Sequence, residues 1–322
     1  MSQRTTEAFE FELSNRQYEK ITAMINKVYD KAEMDGIGES RHADKAAAVA
    51  SGAKGFHEIM QHTKVHSYAT EDKIKGQMHI FAEYCHTNYG TKQLNEIKPS
   101  MISSFLSEMA DRGYSQKTFD SYCSTLERWA GAFDNALPQA GHCRSDEWHK
   151  VIIECKGELR SGLVRLNTTS RAYDNPQVII ANIEDRACHL VASLQLNQGL
   201  RYSDACKLAE IYHDGGINHS KGGQAIKGLY SRLPVNQQNA LKSLTSNEMH
   251  GLKYRYPKVL ENAVKATGES YRGSATHGLR HNFAQSTYNH FIEDGMTKKE
   301  ALLATSELMG HHRPDVTLQY LR

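Results

Sequence analysis

Two arginines, two histidines and a late tyrosine stand in order through the second half of this 322-residue chain. Arg201 lies in Leu196-Asn197-Gln198-Gly199-Leu200-Arg201-Tyr202-Ser203-Asp204. His277 and Arg280 lie in Thr276-His277-Gly278-Leu279-Arg280-His281-Asn282-Phe283-Ala284. His311 ends Leu308-Met309-Gly310-His311, and Tyr320 follows nine residues later. Between the first two stretches, Lys221 opens a Lys-Gly-Gly turn. These residue types suit chemistry at an anionic centre such as a phosphodiester. Paired guanidiniums bracket its non-bridging oxygens with bidentate, charge-assisted hydrogen bonds. They also neutralise charge that builds in a pentavalent transition state. Imidazole moves protons near neutral pH. A tyrosine hydroxyl ionises only near about pH 10, so it attacks only with a base or a strongly positive site beside it. Taken singly, each stretch has a plainer reading as surface charge, solvated helix face or packing aromatic. Their combination in one order points to the chemistry.

The elements that must position these residues read as mainly helical. In the first half, Ser14 caps a helix with Ile21, Met24, Ile25 and Val28 on one face. Residues 41–62 form a less regular helix, interrupted by Gly52 and Gly55. A helix over about 69–87 carries Ile74, Met78, Phe81, Ala82 and Cys85 as a stripe. Pro99 opens the next, with Ile102, Phe105, Leu106 and Met109 inward and Gly113 as its stop. Ser115 caps a helix with Phe119, Tyr122, Leu126 and Trp129, and Ser145 caps one with Trp148, Ile152, Cys155 and Leu159. Such stripes are the signature of core packing. The polar stretch 166–176 reads as a linker. A helix over 177–197 then ends at Gly199, and residues 217–235 read as a small antiparallel hairpin. Helices continue from 236 to the end.

The whole-chain numbers bound the function. The length suits two domains, and 39% hydrophobic with 24% charged residues is ordinary globular composition. No apolar run reaches the length of a membrane span and no signal core follows Met1, so a cytoplasmic protein is expected. The net charge is only +2. Residues 171–322 hold 18 basic against 14 acidic side chains, a net +4, and nine of the 17 histidines. That permits a phosphate-binding surface on the second half. The six cysteines form no paired motif and read as ordinary thiols. His142, Cys143, His149 and Cys155 have zinc-ligand types but not the usual paired spacing, so no metal is expected. His57, His62 and His66 read as a solvated row.

The three stretches resemble the signature of the tyrosine recombinase (phage integrase) family. That family places a first Arg after a Gly-Leu turn, a Lys on a β-hairpin, a His-x-x-Arg box, a Leu-Gly-His box and a nucleophilic Tyr about nine residues on. Carried over residue by residue, the resemblance implies catalytic roles for Arg201, Lys221, His277, Arg280, His311 and Tyr320. Arg201 and Arg280 would hold the phosphate, His277 would take the phenolic proton and His311 would hydrogen-bond the phosphate. Tyr320 would form a 3′-phosphotyrosyl link that a free 5′-hydroxyl of the partner strand reverses. The lysine would protonate the 5′-oxygen; Lys221 is favoured, and Lys227, nearer Pro234, is the alternative. Asp204, one turn after Arg201, reads either as its positioning partner or as a surface acid, while His281 reads as structural and His312 as a bystander. No ATP, metal or other cofactor is implied.

The resemblance covers residues 177–322 by motif and 63–165 by architecture alone. It implies a mainly α, two-domain, C-shaped clamp. A helical (SAM-like) core-DNA-binding domain would span 63–165, and a catalytic domain with a small antiparallel β-sheet would span 177–322. Residues 1–62 would be a helical extension for arm-site binding or oligomerisation. The implied partners are double-stranded recombination sites, four protomers on DNA and accessory DNA-bending or directionality proteins, with integration or excision of a mobile element as the task. Relatives often continue past the tyrosine into a tail that couples protomers, whereas Arg322 closes this sequence, so coupling is expected from the tyrosine segment or residues 1–60. The alternatives are type IB topoisomerase-like DNA relaxation, a catalytically silent DNA-binding protein of the same fold, and a helical interaction module.

Overall fold

The computed structural model describes residues 9–138, 143–165, 170–220, 225–271, 274–311 and 314–322. Among them the chain is mainly helical and contains isolated β-bridges but no strand. It divides into two compact units, Met1–Leu166 and Asn167–Arg322.

The first unit holds α1 (Asn15–Lys31), α2 (Arg41–Ala50), α3 (Gly55–Gln61), α4 (Tyr68–Tyr89), α5 (Pro99–Asp111), α6 (Gln116–Ala136) and α7 (Arg144–Leu159). α1 begins as its sequence predicts: the Ser14 hydroxyl accepts from the Gln17 amide, and Gln17 reaches back in a capping box. Ile21, Ile25 and Val28 then fall on one buried face. They join Met78, Phe81, Phe105, Leu126 and Trp129 in a single core. The described part of the segment expected as an extension, residues 9–62, therefore shares the core of 63–165. Met34 and Gly36 seal that join through backbone bonds to Val65, at 2.8 and 3.0 Å. α7 starts differently from expectation. Its cap is not Ser145 but the Asp134 carboxylate of α6, which accepts from the Arg144 and Ser145 amides at 2.8 Å each. The donors left open at a helix start are met here by a neighbouring helix.

The second unit holds α8 (Pro176–Ala181), α9 (Arg186–Gln198), α10 (Tyr202–Ala205), α11 (Leu208–Asp214), α12 (Leu229–Arg232), α13 (Val235–Ser243), α14 (Ser246–Met249), α15 (Leu252–Ala266), α16 (Gly278–Glu293), α17 (Lys298–Leu308) and α18 (Pro314–Thr317). The helix expected over 177–197 is thus two. The break follows from Asp185, whose carboxylate accepts from the Cys188 amide and starts α9 afresh. The expected linker is anchored from Tyr173 onward. Its hydroxyl donates to the Ala275 carbonyl at 2.8 Å, and its backbone exchanges two hydrogen bonds with the Asn282 side chain.

The expected antiparallel sheet in 217–235 is absent among the described residues. One antiparallel bridge pairs Ile217 with Ile226. Gly228 then turns left-handed at φ 63°, and α12 follows, with Leu229 buried. A glycine in that conformation ends the extended run before a ladder grows. Residues 221–224, and with them Lys221, lie outside the described residues.

Candidate active site

The site is assembled from four places in the second unit: the turn after α9, the first turns of α16, the turn after α17 and the segment after α18. Gly199 makes the first turn. Its φ is 61°, and a Cβ placed on it would meet the Phe283 ring at 2.3 Å. Both facts demand glycine. The turn carries Arg201 to the start of α10. Arg201 is half-buried, and its Nη1 lies 3.8 Å from the Asp204 carboxylate and 3.4 Å from the Ser220 hydroxyl. Ser220 in turn donates to Asp204 at 2.7 Å. Asp204 is 2% exposed, so of its two sequence readings, positioning partner holds and surface acid does not.

Arg280 is the least exposed charged side chain among the described residues, at 1%. One terminal nitrogen donates to the Gly199 carbonyl, the other to the Met309 carbonyl and to His311 Nε2, both at 2.8 Å. These three acceptors are neutral. Burial pulls the guanidinium down to about 10, with the charge of Arg201 acting in the same direction. It therefore stays cationic at neutral pH. Because Arg280 donates to Nε2, the His311 proton sits on Nδ1, which donates to Thr317 Oγ1 at 2.9 Å. His311 thus aims Arg280, and α18 aims His311.

Tyr320 lies over this cluster. Its ring centroid is 4.5 Å from that of His281, 5.4 Å from that of His311 and 5.6 Å from the Arg280 guanidinium carbon. Gln285 of α16 donates to the Tyr320 carbonyl at 3.0 Å. Burial, then the charge of Arg171, pushes the His281 imidazolium down to about 4, so this ring is neutral. His277 immediately precedes α16, half-buried and one turn before Arg280 and His281.

Arg201 and Arg280 both line an open cleft of about 670 Å³, together with Asp204, Ser220, Lys227 and Arg232. Lys227 also lines this cleft and is exposed, and Lys221 lies outside the described residues. The structure brings together Arg201, Arg280, His311 and Tyr320. Ser220, Thr317 and Gln285 were not singled out from the sequence, and single Ser, Thr or Gln residues carry no spacing that could have found them. His281, read as structural, is the ring nearest Tyr320 among those around it.

No known family model matches the chain, and no curated protein shows detectable sequence similarity to it.

Proposed function

We propose that the chain is a tyrosine site-specific DNA recombinase that cuts and rejoins duplex DNA through a 3′-phosphotyrosyl link on Tyr320. One observation carries this reading. A tyrosine ring stands 5.6 Å from a buried guanidinium whose hydrogen-bond partners are all neutral, with a second arginine on the same cleft. A structural arginine buried to 1% is usually matched by a carboxylate. The Asp204 carboxylate acts on Arg280 through space, but none of the Arg280 hydrogen bonds goes to a carboxylate, which leaves the guanidinium to take an anion.

The scissile phosphate enters the cleft and is held by Arg201 and Arg280. The phenolic oxygen of Tyr320 attacks phosphorus while its proton passes to His277. The P–O5′ bond breaks, and Lys227 or Lys221 protonates the departing 5′-oxygen, which leaves poorly as an alkoxide. Two guanidiniums stabilise the pentavalent charge, each typically worth 10²–10³ in rate, or about 3–4 kcal/mol. The bond energy is kept in the phosphotyrosyl link, and a 5′-hydroxyl of the partner strand later reverses the step. Double-stranded DNA is the substrate, and four protomers on two sites are the working assembly. The helical first unit adds phosphate and groove contacts.

The test is a nicked suicide duplex bearing the recombination site that flanks the coding sequence, incubated with wild type and Tyr320→Phe. A covalent protein–DNA band on a denaturing gel with wild type alone is expected. Tight binding without a band points to a silent DNA-binding protein of the same fold. On a supercoiled plasmid carrying the same site, relaxation without strand exchange points to a topoisomerase.

A further inference from the structure

In the first unit, three side chains from three helices converge on one buried carboxylate. Glu127 of α6 is 4% exposed. His149 Nδ1 of α7 lies 3.2 Å from its Oε1, and His57 Nδ1 of α3 lies 3.8 Å from its Oε2. His57 Nδ1 is itself buried and has no hydrogen-bond partner. All three donor atoms fall within 4.8 Å of one another.

We propose that His57, Glu127 and His149 form a binding site for a divalent ion of the zinc class, which clamps α3 onto α6 and α7. Bonds of about 2.0–2.2 Å in a tetrahedron set ligand atoms about 3.4 Å apart. His149 Nδ1 lies 3.2 Å from Oε1 and His57 Nδ1 3.8 Å from Oε2, and one ligand atom from each residue falls within 4.8 Å of the others, so binding draws the three together around one carboxylate oxygen. Two imidazoles and one carboxylate are a borderline-soft donor set that suits zinc over calcium or magnesium. They leave one tetrahedral position for solvent.

Gln61 lies 3.1 Å from His57 Nε2. With its amide turned to present oxygen, it accepts from Nε2–H and fixes the tautomer that frees Nδ1. The rings of His57 and His149 stack at 3.8 Å with 26° between their planes. Binding therefore turns the His149 ring, whose side chain is 37% exposed, so that its lone pair meets the ion. Lys156 Nζ, now 3.7 Å from Glu127 Oε1, is displaced; its side chain is 25% exposed and can reach solvent. The site does not use the cysteines. Cys143 lies 3.7 Å from Asp134 and Cys155 is buried at 6%.

The experiment titrates the untagged, chelator-treated full chain with Co²⁺ by absorption and with Zn²⁺ by calorimetry. One ion per chain is expected, with visible ligand-field bands and no thiolate charge-transfer band. His149→Ala and Glu127→Gln should each weaken binding at least about 100-fold. Both should also abolish the rise in melting temperature that Zn²⁺ gives wild type. Metal-free circular dichroism confirms that the variants are folded, and the half-buried position of His149 makes its truncation milder than that of a core residue. A thiolate band, unchanged affinity in folded His149→Ala, or no binding by wild type overturns the proposal.

Discussion

Replacing Gly199 by alanine should test how the first arginine turn is built. Two costs arise. A non-glycine residue at φ 61° costs about 1–2 kcal/mol, because its Cβ crowds the following carbonyl. The new Cβ would also stand 2.3 Å from the Phe283 ring, and overpacking of this kind costs about 1–3 kcal/mol. Gly199→Ala should therefore lose about 2–5 kcal/mol. In a Phe283→Ala background the ring is gone and only the backbone cost remains, about 1–2 kcal/mol. The double-mutant cycle should show a coupling of at least about 1 kcal/mol. Tryptophan fluorescence is the wrong probe, since Trp129 and Trp148 both lie in the first unit. Hydrogen exchange of the α9 and α16 amides reports the second unit directly. Because the Gly199 carbonyl accepts from Arg280, adduct formation should fall with stability in Gly199→Ala and partly return in the double variant. An equal cost in both backgrounds would refute the argument.

Other perturbations follow from the same site. His281 is 5% exposed, with its pKa lowered to about 4 from 6.5. The unfolded chain therefore binds the extra proton between those values, so stability is full above about pH 6.5, falls as pH drops toward 4 and levels below it, by about 3 kcal/mol in all. An NMR titration of the ring, or a His281→Gln variant with a flatter stability–pH curve, checks this; a ring titrating near 6.5 would sink it. Arg280→Met should cost about 2–4 kcal/mol, because it strands the Gly199 and Met309 carbonyls in a dry site. The same change should remove covalent adduct at least about 10²-fold, and an active Arg280→Met would end the proposed mechanism. Between Lys227→Ala and Lys221→Ala, the one that removes the general acid should be restored by a 5′-bridging phosphorothiolate duplex, whose sulfur leaves without a proton. Lys227 lines the cleft and Lys221 lies outside the described residues, so rescue of Lys221→Ala alone would assign Lys221, as the sequence favours, and rescue of Lys227→Ala alone would assign Lys227.

Local signals were read well where one residue settles a local choice. Ser14, Ser115 and Pro99 mark helix starts because capping geometry involves only the next few residues. The inward stripes of α1, α4, α5 and α6 followed from helical spacing. Failures came where a distant partner decides. Asp134, not Ser145, opens α7, and no pattern within 143–159 could reveal an acid on another helix. The apolar run after Ile226 looked like a strand, but Gly228 and the burial of Leu229 made it a helical turn. At the site, the motif order singled out Arg201, Arg280, His311 and Tyr320, and the fold places these side chains near one another. The clip of Ser220 on Asp204 and the bond of Thr317 to His311 are tertiary contacts with no sequence period. His57 read as solvated because its partner carboxylate is 70 residues away.

The Gln285 amide has a consequence for motion. Its nitrogen lies 3.0 Å from three acceptors: the Ser170 hydroxyl and the carbonyls of Tyr320 and Arg322. An amide nitrogen carries two hydrogens, so Gln285 cannot give a separate hydrogen to all three acceptors at once. Any one bond can be given up while its hydrogen passes to the neighbour, at almost no enthalpic cost. Leu321 and Arg322 can therefore shift slightly while Gln285 keeps its bond to the Tyr320 carbonyl. The same sharing means that the segment is held by exchange among partners, not by one fixed bond. Small displacements of Arg322 are absorbed at Gln285 before they reach the tyrosine ring.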